Sequence, residues 1–182
     1  MDIRISSAPV EELEHEGLAV TFYSDERPPR GFCGNVDWRM NGLISRYMSG
    51  GVITGKFLER VLFTPYRIGC GKLFLFGMGN REDLTEERMR SLGRDMGAAL
   101  SAAGICRVAC HMTGTFPVPL PPSEMTACAL SGLIESYAGV DRQIPVDITC
   151  IAHPANLGDE ILAGVNRLKG ASERASAIRI HQ

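Results

Sequence analysis

The chain has 182 residues, 45% of them apolar and 22% charged, and a formal net charge of −2. A chain of this length buries roughly 70% of its unfolded surface and needs no staple to fold. The absence of a basic excess argues against a nucleic-acid partner, and no run approaches the ~20 apolar residues that would cross a bilayer.

The elements follow in order. Asp2–Ser6 alternates apolar and polar residues and predicts a first strand, ended by Pro9. Gly17–Tyr23, rich in β-formers, predicts a second. Ser24–Gly34 carries Pro28-Pro29 and two glycines and reads as a loop. Asn35 is placed to cap a helix running to about Met48, with Val36, Met40, Leu43, Ile44 and Tyr47 inward and Gly50-Gly51 as its stop. After a connector at Val52–Lys56, Glu59–Thr64 predicts a strand terminated by Pro65. Leu73–Phe76 is a continuous apolar run, as in a strand covered on both faces. Gly77-Met78-Gly79 breaks it, and Met89, Leu92, Met96, Ala99, Leu100 and Ala103 then recur on one face of a long helix. Ile105–Met112 predicts the next strand.

The prolines of Thr113–Pro122 predict an extended loop. Ser123 caps a helix to about Tyr137, with Met125, Leu130, Leu133, Ile134 and Tyr137 inward. Pro145–Ile151 predicts a strand. Asn156 caps a last helix whose stripe is Ile161, Leu162, Val165 and Leu168, with Gly170 past its end. Residues 171–182 read as a frayed tail or an edge strand, beyond a single domain at 1–170. Successive strands followed by strand–helix alternation predict an α/β fold: a three-layer α/β/α sandwich around a mixed, mostly parallel sheet.

Six cysteines, Cys33, Cys70, Cys106, Cys110, Cys128 and Cys150, form no C-x-x-C pair and sit among apolar neighbours. Buried thiols in a reduced, cytoplasmic setting are expected, given no secretory signal at the N-terminus. Cys110 and His111 are adjacent on a predicted strand, point to opposite faces and cannot form a dyad with each other. No ligand spacing suits zinc, so neither a metal nor a cofactor is expected.

Several stretches resemble the N-terminal domain of the leucine (cytosol) aminopeptidases. They are Asn41-Gly42-Leu43 followed by Val52-Ile53-Thr54-Gly55-Lys56, KLFLFGMG at 72–79, ALSGLIESYAG at 129–139, and Gly164-Val165-Asn166-Arg167-Leu168. The likeness covers about residues 17–169. It implies a macro-domain-like fold, in agreement with the patterning. The family's catalytic metal ligands belong to a C-terminal domain whose N-T-D-A-E-G-R-L signature is missing here, so the resemblance carries over no catalytic residue. It implies a non-catalytic domain standing alone, with an assembly or regulatory role, either as a homo-oligomer or with a separate protein partner. The alternative expectation is a macro-like module that binds a small molecule of nucleotide or ADP-ribose type.

Candidate ligand residues follow from the rule that open α/β sheets bind ligands beyond the carboxyl ends of their strands. These ends carry Gly77, Gly79 and Asn80, then His111 and Thr113, then His153 and Asn156. Asn80, His111 and His153 converge only if their strands are neighbours. A dinucleotide fingerprint would need glycine at Glu82, and a P-loop would need G-K-S/T; neither is present. Glu82, Asp83, Glu86 and Glu87 instead complement the following helix dipole, with Asp83 and Glu86 as a capping-box-like pair. A structural turn is therefore expected over a phosphate cradle.

Overall fold

The computed structural model describes residues 1–115, 117–138, 145–171 and 179–181. Strands β1 (Asp2–Ser6), β2 (Gly17–Phe22), β3 (Arg60–Phe63), β4 (Lys72–Gly77), β5 (Arg107–His111), β6 (Asp147–Ile151) and β7 (Arg179–His181) form one sheet in the order β3-β4-β2-β5-β6-β1-β7. All pairs are parallel except β3 with β4. Helices α1 (Gly31–Arg39) and α2 (Leu43–Ser49) share a core with one face of the sheet. Helices α3 (Glu86–Ala102), α4 (Pro122–Ala138) and α5 (Gly158–Ala171) share a core with the other. The mixed α/β/α sandwich expected from the sequence is the observed fold.

Alternation along the strands divides the core. Leu18, Val20 and Phe22 of β2 join Leu73 and Leu75 of β4 under α1 and α2. Ala19, Phe74, Phe76, Val108, Cys110, Ile148 and Cys150 face α3, α4 and α5. Central strands buried on both faces therefore read as unbroken apolar runs. All six cysteines are buried and unbridged. Burial raises the Cys70 thiol to about 11 and that of Cys150 to about 12, so both stay protonated and behave as small hydrophobes. No helix among the described residues is long and apolar enough to cross a membrane.

Several local expectations are corrected. The helix expected over Asn35–Met48 is two helices. Asn41 and Gly42 both take positive φ, at 54° and 70°, and turn the chain between them. Asp37 supports the break by accepting the Ser45 amide at 3.0 Å and the Ser45 hydroxyl. Asn35 thus lies inside α1 rather than at its cap, and Tyr47 is 40% exposed with its ring against Phe63. Helix α3 is capped by Thr85, whose hydroxyl accepts the Arg88 amide at 3.2 Å, while Asp83 sits in a preceding 3-10 turn. Asn156 lies in the 3-10 turn Ala155–Leu157, ahead of α5, and Gly170 lies inside α5. Residues 179–181 pair with β1 as an edge strand; Gly139, expected from the sequence to close the helix that ends near Tyr137, is outside the described residues.

Helices α3 and α4 pack through glycine. A Cβ at Gly93 would lie 1.9 Å from the Ala129 carbonyl oxygen, and one at Gly132 would lie 2.0 Å from that of Arg90. Backbone cannot yield as a flexible side chain can, so even a methyl group forces the helices apart. Gly93→Ala or Gly132→Ala is expected to lower the urea-unfolding free energy by about 2–4 kcal/mol. Gly170→Ala has nothing within 4 Å of the new methyl and is helical. It is expected to be neutral or to raise stability by up to about 1 kcal/mol, from helix propensity alone.

Candidate functional site at the carboxyl ends of the strands

The parallel order brings the carboxyl ends of β4, β2, β5, β6 and β1 to one rim. Strands β5 and β6 are neighbours, so His111 and the residue two beyond β6, His153, meet with ring centroids 6.3 Å apart. Phe32 from α1 stacks on His111 at 4.9 Å and meets His153 at 5.7 Å. Strand β2 separates β4 from β5. Asn80 therefore stands across that strand from the two histidines, and its Oδ1 accepts the Ser24 hydroxyl at 2.7 Å. Asn156 is exposed beyond them. The structure gathers two of the three residues whose convergence depended on strand order.

The glycine turn after β4 is tied to backbone. The amides of Gly77, Met78 and Gly79 donate to the carbonyls of Glu59, Phe22 and Gly55 at 2.8, 2.9 and 2.9 Å. A Cβ at Gly77 would lie 2.0 Å from the Lys56 carbonyl oxygen, which accounts for glycine there. The 54–59 connector is in turn held by Glu59, whose carboxylate accepts the amides of Thr54 and Gly55. Tight backbone packing explains Gly77, and a positive φ of 76° explains Gly79.

The loops after β2 and β5 close on each other. Tyr23 donates to the Thr113 carbonyl at 3.5 Å, and the Thr115 hydroxyl donates to Glu26, whose other oxygen accepts the Arg30 amide at 2.6 Å. Gly114, at φ +63°, lies against the Tyr23 ring, where any Cβ would come within 2.5 Å. What remains between Thr21, Glu26, Cys33, His111 and Thr115 is a void of about 10 Å³, roughly the space of one water. Tyr23, Glu26, Phe32 and Thr115 shape this end of the sheet and were not singled out from sequence. Their only sequence signal is that Gly31, Gly34 and Gly114 permit loops to approach this closely. Among the described residues, no group of three or more His, Cys, Asp or Glu is placed to hold a metal ion.

His111 is fully buried, and both of its ring nitrogens are shut away from solvent. Burial, reinforced by the charge of the neighbouring His153 ring and opposed by a contact with the His153 backbone, lowers its imidazole from 6.5 to about 3. Burial also lowers His153, whose Nε2 lies 3.0 Å from the Asn35 amide nitrogen. The unfolded chain therefore binds a proton at His111 across a pH range where the folded chain does not. That stabilising contribution is complete above about 6.5 and is lost as pH falls toward 3, by roughly 1.4 kcal/mol per pH unit. Between pH 7 and 5, unfolding free energy measured in urea is expected to fall by about 1–2 kcal/mol more in the native chain than in His111→Leu. Equal falls would show that His111 is not held neutral.

Comparisons with known proteins place this geometry. Residues 19–136 match the cytosol aminopeptidase family, N-terminal domain. A probable cytosol aminopeptidase from a Geobacter species is 31% identical over 76% of this chain and 27% of its own length. That of Haemophilus ducreyi is 24% identical over 62% of this chain and 23% of its own. The chain thus spans only about a quarter of the curated relatives it matches. Among solved structures, a tomato leucine aminopeptidase mutant superposes with a TM-score of 0.61 at 16% identity, covering 84% of this chain and 32% of that one. A Trypanosoma brucei macrodomain in complex with ADP-ribose gives 0.67 at 16%, over 89% and 67%. A mutant Oceanobacillus iheyensis macrodomain gives 0.68 at 11%, over 93% of both. At these identities the structural likeness establishes the fold: a macro-type sandwich. Through the match over residues 19–136, the chain belongs to the cytosol aminopeptidase family, as that family's N-terminal domain.

Proposed function

We propose that this chain is a non-catalytic assembly domain that associates with a second copy of itself through the edge of the sheet at β3. The observation that carries this reading is apolar side chains left in water on both sides of that strand. Leu62 within β3 is 56% exposed; Val52, Tyr47 and Tyr66 on the α2 side are 66%, 40% and 41% exposed. Tyr47 packs on Phe63 of β3 itself. The outer edge of β3 has no strand beyond it among the described residues, and unpaired strand edges recruit other chains. Grouped exposed apolar side chains are a mark of contact surfaces.

The alternative, a nucleotide or ADP-ribose-type ligand held at the strand ends, draws support from the macrodomain likeness. Against it stand the small void between the β2 and β5 loops and the carboxylates of Asp25 and Glu26 beside it, both already engaged by Arg81.

Light scattering after gel filtration is expected to give a mass above the monomer that rises with concentration, and Leu62→Asp is expected to return it to the monomer. A monomer at every concentration overturns self-assembly. Thermal unfolding with ADP-ribose separates the readings, since a ligand at 100 times its Kd adds ~2.7 kcal/mol of stability. No shift is expected.

A further inference from the structure

Strand β3 meets β4 antiparallel, with Arg60 opposite Phe76, Val61 opposite Leu75, Leu62 opposite Phe74 and Phe63 opposite Leu73. Just before the strand, the Gly77 amide donates to the Glu59 carbonyl at 2.8 Å, and these two residues continue the same register. A bond between directly opposed residues marks a hydrogen-bonded pair, and such pairs alternate with unbonded ones along an antiparallel ladder. Val61 and Phe63 therefore turn their backbone groups toward β4. The amides and carbonyls of Arg60, Leu62 and, one step further, Thr64 face the open edge. Pro65, which has no amide, ends the row. The side chains sort by face. Leu62 shares the face of Phe74, toward α3, while Val61 and Phe63 pack with the core beneath α1 and α2.

Edge groups on alternate residues can pair with their own copies across a two-fold axis normal to the sheet. That rotation makes the strands antiparallel and keeps each face on its own side. Placing Arg60 opposite its own copy would oppose like charges. Placing Val61 opposite its own copy sets Arg60 against Leu62 and brings only two of the three edge residues into bonded pairs. Placing Leu62 opposite its own copy brings in all three, sets Val61 against Phe63 and sets Arg60 against Thr64. The Arg60 guanidinium is held by Asp95 of α3, whose carboxylate accepts its Nε at 2.7 Å, so its charge is already paired.

We propose that β3 pairs antiparallel with β3 of a second copy about a two-fold axis through Leu62, joining two seven-stranded sheets into one. Leu62 meets Leu62 of the partner on the α3 side. Val61 meets the partner's Phe63 on the α2 side, where Tyr47, its ring 5.8 Å from that of Phe63, stands beside the contact. The pairing occupies the same edge in both copies, so the assembly closes at two. The inference rests on the assembly reading above and deepens it, by fixing which residues meet and how many copies join.

Directly opposed residues of a hydrogen-bonded pair have Cα atoms about 5.5 Å apart, within the span of a disulfide. The six native cysteines are buried, so a cysteine placed on the edge reports this pairing. Leu62→Cys treated with diamide, which takes up the two thiol hydrogens as the disulfide forms, is expected to shift to twice the monomer mass on a non-reducing gel. Val61→Cys and the native chain are expected to stay at the monomer mass. Cross-linking of Val61→Cys as fast as Leu62→Cys, or faster, overturns the register and leaves self-assembly through β3 standing. A dimer in light scattering with neither variant cross-linked overturns pairing at this edge while self-association stands. A monomer at every concentration, with neither variant cross-linked, overturns the pairing and the assembly reading together.

Discussion

Strand β2 lies between two parallel partners, β4 on one edge and β5 on the other, and much of the molecule depends on that placement. A strand hydrogen-bonded on both edges and covered by helices on both faces has no solvent side, which is why all six of its residues are buried. Its parallel partners must end at the same rim. The chain leaving β2 then has to turn among the ends of β4 and β5, and it is hydrogen-bonded to both, through backbone on the β4 side and through a side chain on the β5 side. Met78 donates to Phe22 and Ser24 donates to Gly79 on one side, while the Thr21 hydroxyl donates to the His111 carbonyl on the other.

The same placement divides the rim. On the β4 side, backbone meets backbone, and the glycines serve close approach. On the β5 side, the loops meet through Tyr23, Glu26 and Thr115, whose mutual bonds leave little room. Further along, the segment after β1, helix α1 and His153 after β6 line an open cleft. One rim thus holds a closed centre and an open flank. Burying His111 between them, with its ring stacked on Phe32, makes the neutral imidazole part of the core and couples stability to acid.

The exposed apolar side chains gather at β3, the first strand in the order, and the cleft sits beside β6 and β1, near the other end.

Sequence alone determined the layers, the strand positions and the family likeness, because each rests on local regularities. Leu73–Phe76 had to be a doubly covered strand, and the Met89–Ala103 stripe had to be one face of a helix, whatever their neighbours. Asn41-Gly42 was a legible turn signal overshadowed by a helical stripe that continues across it. The candidate site was half legible. His111 and His153 lay at strand ends that any parallel sheet would bring to one rim, but their meeting, and the exclusion of Asn80, followed from β2 standing between β4 and β5. Sequence spacing cannot encode strand order, which is fixed by long-range pairing. Nor could it show that Phe32, Glu26 and Thr115, from two loops nearly ninety residues apart, would fill the rim, since that depends on which surfaces the finished sheet presses together.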